Sequence, residues 1–247
     1  NVVDDNVKEL ISFYTNKNKS YRPPYVNGGG IEKDFIADFP YEDTKDQEVV
    51  WSEIKRDLEK NVPMYRLVCG DVGFGKTELA IRSAFRVVVN KGRVLVMAPT
   101  SVLARQLFEV FHSRLDMFGI VVALYTGACS TKDRNKNKAL WEQGLVDVLI
   151  GTTSLTYDVV FIKFASLIII DEEHRFGVKD KEGFLEGYNN KDVLMMSATP
   201  IPRSLNLSLS GLNDISTLGT PPFSRKPIQT FVSHFNDLHI KRSIEYE

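Results

Sequence analysis

Two groups of residues in this chain have the types and spacing for phosphate chemistry. The first is GDVGFGKT, Gly70 to Thr77, which fits the pattern G-x-x-x-x-G-K-[ST]. Glycine lets a backbone curl until its N–H groups converge. The amides of Gly70, Asp71, Val72, Gly73, Phe74, Gly75, Lys76, Thr77 and Glu78 can therefore line an anion nest at a helix start. Lys76 can reach the β- and γ-phosphates of a nucleotide, and the Thr77 hydroxyl can ligate Mg²⁺. A glycine-rich turn with a solvated lysine would be the plainer account. The apolar YRLVC before the loop, and Ala80, Ile81, Ala84 and Val88 at helical spacing after it, favour the phosphate loop.

The second group is Asp171 and Glu172, closing the apolar run SLIII. A nucleotide-bound Mg²⁺ needs a carboxylate at such a place, and attack on the γ-phosphate needs a group that orients or deprotonates water. Asp171 suits the first role and Glu172 the second. Taken alone, the segment could equally be an acidic loop or a helix cap. His174 is either a surface histidine or a sensor of the nucleotide. Ser197 and Thr199 in MMSATP could hydrogen-bond back toward Glu173 or His174, although Pro200 and Pro202 would form a turn there in any case.

These residues need a scaffold that brings strand ends together. Short apolar runs recur at YRLVC, RVLVMAP, IVVALY, VDVLIG, SLIIID and DVLMMSA, with helical patterns between several of them, such as Leu103, Leu107, Val110 or Phe111, Leu115 and Phe118. Continuous apolar strands alternating with helices predict an α/β fold with a mostly parallel sheet covered on both faces. Ligands then collect at the carboxyl ends of the strands, where both groups fall. A further helix is predicted around Val50, Trp51, Ile54 and Leu58, and a short amphipathic one around Val7, Leu10, Ile11 and Tyr14. The Pro- and Gly-rich TNKNKSYRPPYVNGGG reads as a linker.

The 247 residues are 43% hydrophobic and 26% charged, an ordinary globular balance, with no apolar run approaching the roughly 20 residues that span a bilayer. The polar, acidic N-terminus is no signal peptide, and its lack of a starting Met suggests a piece of a longer chain. Cys69 and Cys129 form no metal spacing or disulfide framework, so a reducing, cytosolic compartment is expected. A net charge of −1 gives no global nucleic-acid signature. Any contact with DNA must then run through local patches and backbone amides. STKDRNKNK, with Lys132, Arg134, Lys136 and Lys138, is one such patch, or simply a solvated face.

GDVGFGKT, DEEH and SAT, in this order, resemble motifs I, II and III of superfamily-2 helicases and translocases, over about Phe39 to Pro222. FPYEDTKDQ, RLVCGDVGFGKTE, DEEHRFGV and SATPIPRSLNLSLSG resemble more narrowly the bacterial transcription-repair coupling factors. RecG-type fork-remodelling helicases are the nearest relatives, sharing HRFGV and ATPIPR but differing at DEEH and at FPYE. The resemblance implies a RecA-like P-loop NTPase lobe that uses ATP and Mg²⁺ to move on double-stranded DNA. It makes Gln47 an adenine-recognition residue, with Phe39 or Tyr41 packing near the base. Thr44-x-x-Gln47 is also a capping-box spacing, and both roles stay open. APTSVLARQ and IGTTSL resemble the family's DNA-contacting motifs, which puts Thr100, Arg105, Gln106, Gly151, Thr152 and Arg203 near DNA; plain N-capping would explain Thr100 and Thr152 as well.

By the same resemblance a second RecA-like lobe supplies an arginine finger, and separate modules engage RNA polymerase and the excision-repair damage-recognition protein. The expected division is a helix and linker over 1–30, the motor lobe over 31–215, and a linker toward the second lobe over 216–247. Without that second lobe, these residues alone are expected to be nearly inactive, in the cytoplasm of a bacterium as in the parent. A nucleotide-gated interaction module with no motor output is the competing class.

Overall fold

The computed structural model describes residues 21–171, 190–198, 214–222, 234–235 and 237–246. The predicted helix around Val7 to Tyr14 lies outside them. Seven parallel strands form one sheet: β1 (Tyr65–Gly70), β2 (Val94–Ala98), β3 (Val122–Tyr125), β4 (Val148–Thr152), β5 (Leu167–Ile170), β6 (Asp192–Ser197) and β7 (Asp214–Leu218). Their order across the sheet is β3-β4-β2-β5-β6-β1-β7. The helices are α1 (Gly30–Ala37), α2 (Lys45–Leu58), α3 (Lys76–Val89), α4 (Ser101–Leu115), α5 (Thr131–Glu142), α6 (Val159–Phe164) and α7 (Asp237–Tyr246). All six apolar runs read from the sequence became strands.

β2 shows why runs without polar alternation are required. All five of its residues are buried, because helices cover both faces. Val94, Val96 and Ala98 join one core with Phe35 of α1, Ile54 of α2, Phe85 of α3 and Phe111 of α4. Leu95 and Met97 join the opposite core with Trp141 of α5 and Phe161 of α6. Four helices thus share the face on which the phosphate loop opens, and Phe35 stacks on Phe85 with ring centroids 4.0 Å apart.

Two boundaries differ from expectation. β7 crosses the 215/216 division and pairs along β1 from Arg66↔Asp214 to Gly70↔Leu218, so it belongs to the sheet. The segment 21–25, a linker by its composition, straps across the amino ends of the strands. Arg22 is 5% exposed and pairs with Asp192 at 2.6 Å while its guanidinium donates to the Leu58, Lys60 and Asp57 carbonyls. Its buried charge therefore has partners on every side, as such a group requires.

Candidate nucleotide site

β1 delivers the chain into the glycine loop. Gly70 must be glycine, because a Cβ there would lie 2.8 Å from Cβ of Leu218 on β7. Gly73 and Gly75 have φ of +81° and +82°, left-handed values that side chains resist. Phe74, between them, is buried and anchors the turn in the core. α3 then starts at Lys76 with Gly75 as its cap. The Lys76 ammonium donates to the Gly70 carbonyl at 2.6 Å and the Asp71 carbonyl at 3.0 Å, so the loop already holds its lysine.

Sheet order brings the acid to this loop. Only β6 separates β1 from β5, so the two strand ends lie about 10 Å apart at two strand spacings. Asp171 directly follows β5, its amide donating to the Met97 carbonyl at 2.9 Å. A cavity of about 710 Å³ is lined by Gly73, Gly75, Lys76 and Thr77 together with Asp171. Lysine and acid, 95 positions apart in sequence, face one space. Magnesium favours oxygen ligands and usually takes only one or two from protein, the rest from phosphate and water. The Thr77 hydroxyl and Asp171 carboxylate fit that donor set.

Gln47 joins the loop to α2. Both halves of the capping box form: Thr44 N–H donates to Gln47 Oε1 at 2.8 Å, and Gln47 N–H donates to Thr44 Oγ1 at 3.3 Å. In addition, Gln47 Nε2 donates to the Phe74 carbonyl at 3.0 Å. The side chain is buried and also borders the cavity, as do Phe39, Tyr41 and Val72. Capping and site-building are one residue's work. The Phe39 and Tyr41 rings meet edge to face at 5.4 Å.

Other expectations resolve differently. Glu78 is not among the residues lining the cavity, and its carboxylate accepts from Arg82 at 3.0 Å and Arg114 at 3.1 Å. Burial works against the Arg82 charge, but Asp43 and Glu78 more than offset it and hold its pKa above the ordinary arginine value. Phe74 contributes its carbonyl to Gln47 and its ring to the core. Gln106, expected at DNA, lines the nucleotide cavity with Leu103, Leu107 and Val110 of α4. Those apolar residues read in sequence as a core stripe at helical spacing, and nothing local marks Glu42 or Pro222, which also line the cavity, as site residues.

Thr100 caps α4, accepting from the Leu103 amide at 3.3 Å. Thr152 ends β4 with its hydroxyl 2.8 Å from that of Ser154. Gly151 is explained by packing: a Cβ would lie 2.4 Å from the Tyr125 carbonyl oxygen. Arg105 is exposed and pairs with Glu109. Ser197 ends β6 in register with Cys69 of β1. Lys132, Lys136 and their neighbours lie on α5, where Lys138 is held by Asp158 at 2.5 Å. Glu172, Glu173, His174, Thr199 and Arg203 lie outside the described residues.

A glycine-wrapped lysine after the first strand, and an acid after a strand two places away in a parallel sheet, define a RecA-like P-loop NTPase lobe. The chain belongs to the DEAD/DEAH box helicase family, whose model matches residues 44–207. It is 41% identical over 245 residues to the transcription-repair-coupling factor of Staphylococcus haemolyticus (strain JCSC1435), and 39% identical to that of Bacillus subtilis (strain 168). Each alignment covers 99% of this chain and 21% of the relative, so the chain spans about a fifth of the length of the curated relatives it matches. Among solved structures, RecG bound to a three-way DNA junction superposes with a TM-score of 0.79 at 33% identity, over 97% of this chain and 32% of that one. The bacteriophage T4 UvsW helicase shares the fold, with a TM-score of 0.57 at 16% identity, over 80% of this chain and 69% of that one. Among the described residues, no helix is long and apolar enough to cross a membrane.

Proposed function

We propose that this lobe binds ATP·Mg²⁺ and serves as the first motor lobe of a bacterial, cytoplasmic double-stranded DNA translocase of the transcription-repair-coupling type. The observation that carries the reading is the single cavity shared by Lys76, Thr77, Asp171 and Gln47. Lys76 and the loop amides hold the phosphates, Phe39, Tyr41 and Gln47 receive the base, and Thr77 with Asp171 would hold magnesium. When bound, the ion neutralises charge on the phosphate oxygens. Glu172 orients the attacking water, and His174 with Ser197 and Thr199 reports the state of the site. Thr100, Arg105, Gly151, Thr152 and Arg203 form the DNA face, chiefly through backbone amides at strand ends. In the parent, the motion displaces a stalled RNA polymerase and recruits the excision-repair damage-recognition protein.

An arginine finger is worth about 10³ to 10⁵ in turnover, so residues 1–247 alone hydrolyse ATP slowly. The tests are ATP binding to this chain, and triplex displacement by a two-lobed parent with and without stalled polymerase. Lys76→Ala should abolish both. Failure of duplex DNA to support movement would overturn the translocase reading. The 33% identical RecG structure supports a second reading, fork remodelling, which unwinding of forks without any polymerase dependence would select.

A further inference from the structure

The base side of the cavity is built on a segment that forms neither helix nor strand. Phe39, Tyr41 and Glu42 line the cavity, and Tyr41 is 62% exposed. Besides the Asp38 and Phe39 amides, which close the end of α1, two ionic anchors outside the cavity fix this segment. At one end, Asp38 accepts from Arg114 of α4 at 2.6 Å. At the other, Asp43 accepts a two-pronged bond from Arg82 of α3 at 2.6 and 3.0 Å. Both arginines converge on Glu78, the residue after Thr77. Both guanidinium carbons also sit within cation–π reach of the Phe39 ring, at 5.3 and 5.5 Å from its centroid. Arg114 further donates to the Phe35 carbonyl in the last turn of α1, where a cation is favoured.

We propose that Arg114 is a positioning residue for base selection: through Asp38, and through Glu78 shared with Arg82, it holds the aromatic wall of Phe39 and Tyr41 at a set distance from the phosphate loop. The inference rests on the ATP reading of the site. Geometry is its argument. Both anchors of the wall are planar guanidinium forks, which hold a carboxylate by direction as well as by charge. The shared carboxylate belongs to the first turn of the phosphate-loop helix, so wall and loop are referenced to one rigid element. A wall pre-set in this way spends less binding energy on ordering when a base arrives. The triphosphate, held by Lys76 and the loop amides, depends on none of these bonds.

The experiment is equilibrium binding of Mg·ATP, Mg·GTP and Mg·tripolyphosphate to the 247-residue chain, its Arg114→Lys and Asp38→Asn variants, and Glu109→Gln, at an exposed side chain, as a control on the same helix. Arg114→Lys keeps the charge and removes the fork. Asp38→Asn, at a side chain 43% exposed, carries the test should the first variant melt early. ATP affinity should fall roughly five- to tenfold in both variants, the worth of one charge-assisted hydrogen bond, while tripolyphosphate binding stays unchanged. The preference for ATP over GTP should shrink with it, and the double variant should be no worse than the single ones. Equal losses for ATP, GTP and tripolyphosphate, or an unaltered ATP-to-GTP ratio, would overturn the proposal. A wild-type chain that binds tripolyphosphate without preferring ATP would also overturn it and leave the phosphate site standing; one that binds none of the three would overturn the ATP site itself.

Discussion

Replacing Gln47 by Glu separates the two jobs of one side chain. Glutamate at this position of a capping box still accepts from the Thr44 amide, and its charge suits a helix N-terminus. The start of α2 should therefore survive. The other end of the side chain changes from a donor to an anionic acceptor, 3.0 Å from the Phe74 carbonyl oxygen in a pocket only 5% exposed. Losing that hydrogen bond and leaving two acceptors facing each other costs about 2–3 kcal/mol. The cost falls on the loop geometry that binds phosphate, so the competent conformation becomes a minor state. Apparent ATP affinity should drop roughly 30- to 150-fold. Thr44→Ala should give the opposite pattern: about 1 kcal/mol of stability lost with the cap, and less than a threefold change in affinity. Calorimetric titration with Mg·ATP, paired with thermal melts, reads both quantities. Unchanged ATP affinity in Gln47→Glu, whatever its melting temperature, would show that the bond to the Phe74 carbonyl does not set the loop geometry, and would refute the reasoning.

Gly75→Ala places a Cβ 2.2 Å from Gln47 Nε2 at a φ of +82°. The variant should lose about 2–4 kcal/mol, read as a melting temperature roughly 5–15 °C lower. For Asp192, burial pushes the carboxyl up to about 6, with Arg22 and the Met64 amide pulling it back, against an ordinary value of 3.8. The native state therefore binds this proton more tightly than the unfolded chain. That contribution is complete below about pH 4 and is lost as pH rises through about 6. Asp192→Asn should remove the trend, so the wild-type-minus-variant difference in melting temperature should decline from pH 4 to 6; a flat difference would contradict the burial argument. Asp46→Ala frees the Gly219 and Thr220 amides, which both donate to its Oδ2, at 2.9 and 2.7 Å. Their hydrogen exchange should quicken by roughly tenfold.

The phosphate loop was legible because its glycines answer a backbone need that few other sequences share. Five strands were legible because burial on both faces leaves a continuous apolar run, and the edge strand β3 is as apolar although only Ala123 in it is buried. β7 was not: DISTL is polar at Asp214, Ser216 and Thr217, and only Ser216 and Leu218 are buried. It holds its place by ladder bonds to β1 and through Arg66, which donates to Ser216 at 2.6 Å. The 21–25 strap was hidden for a related reason. Its proline-rich composition reads as linker, and the carbonyls that receive Arg22 are long-range partners no local pattern announces. Arg82, Arg114, Asp38 and Asp43 look in sequence like a solvated face. Their value lies in convergence on one carboxylate, which only folding creates. Gln47 was half legible, since T-x-x-Q spacing reveals a cap but says nothing of Phe74.

The Arg22 strap and the Asp46 tether sit at opposite ends of the same strands, one at the start of β6 and the other just past β7, with β1 between them. Tension between the flanking chain segments would run lengthwise through three neighbouring strands. Their ladder bonds lie across that line of force, so they would share the load together instead of opening one by one as in a zipper. A part that must carry tugging loads gains toughness from that layout alone, before any nucleotide arrives.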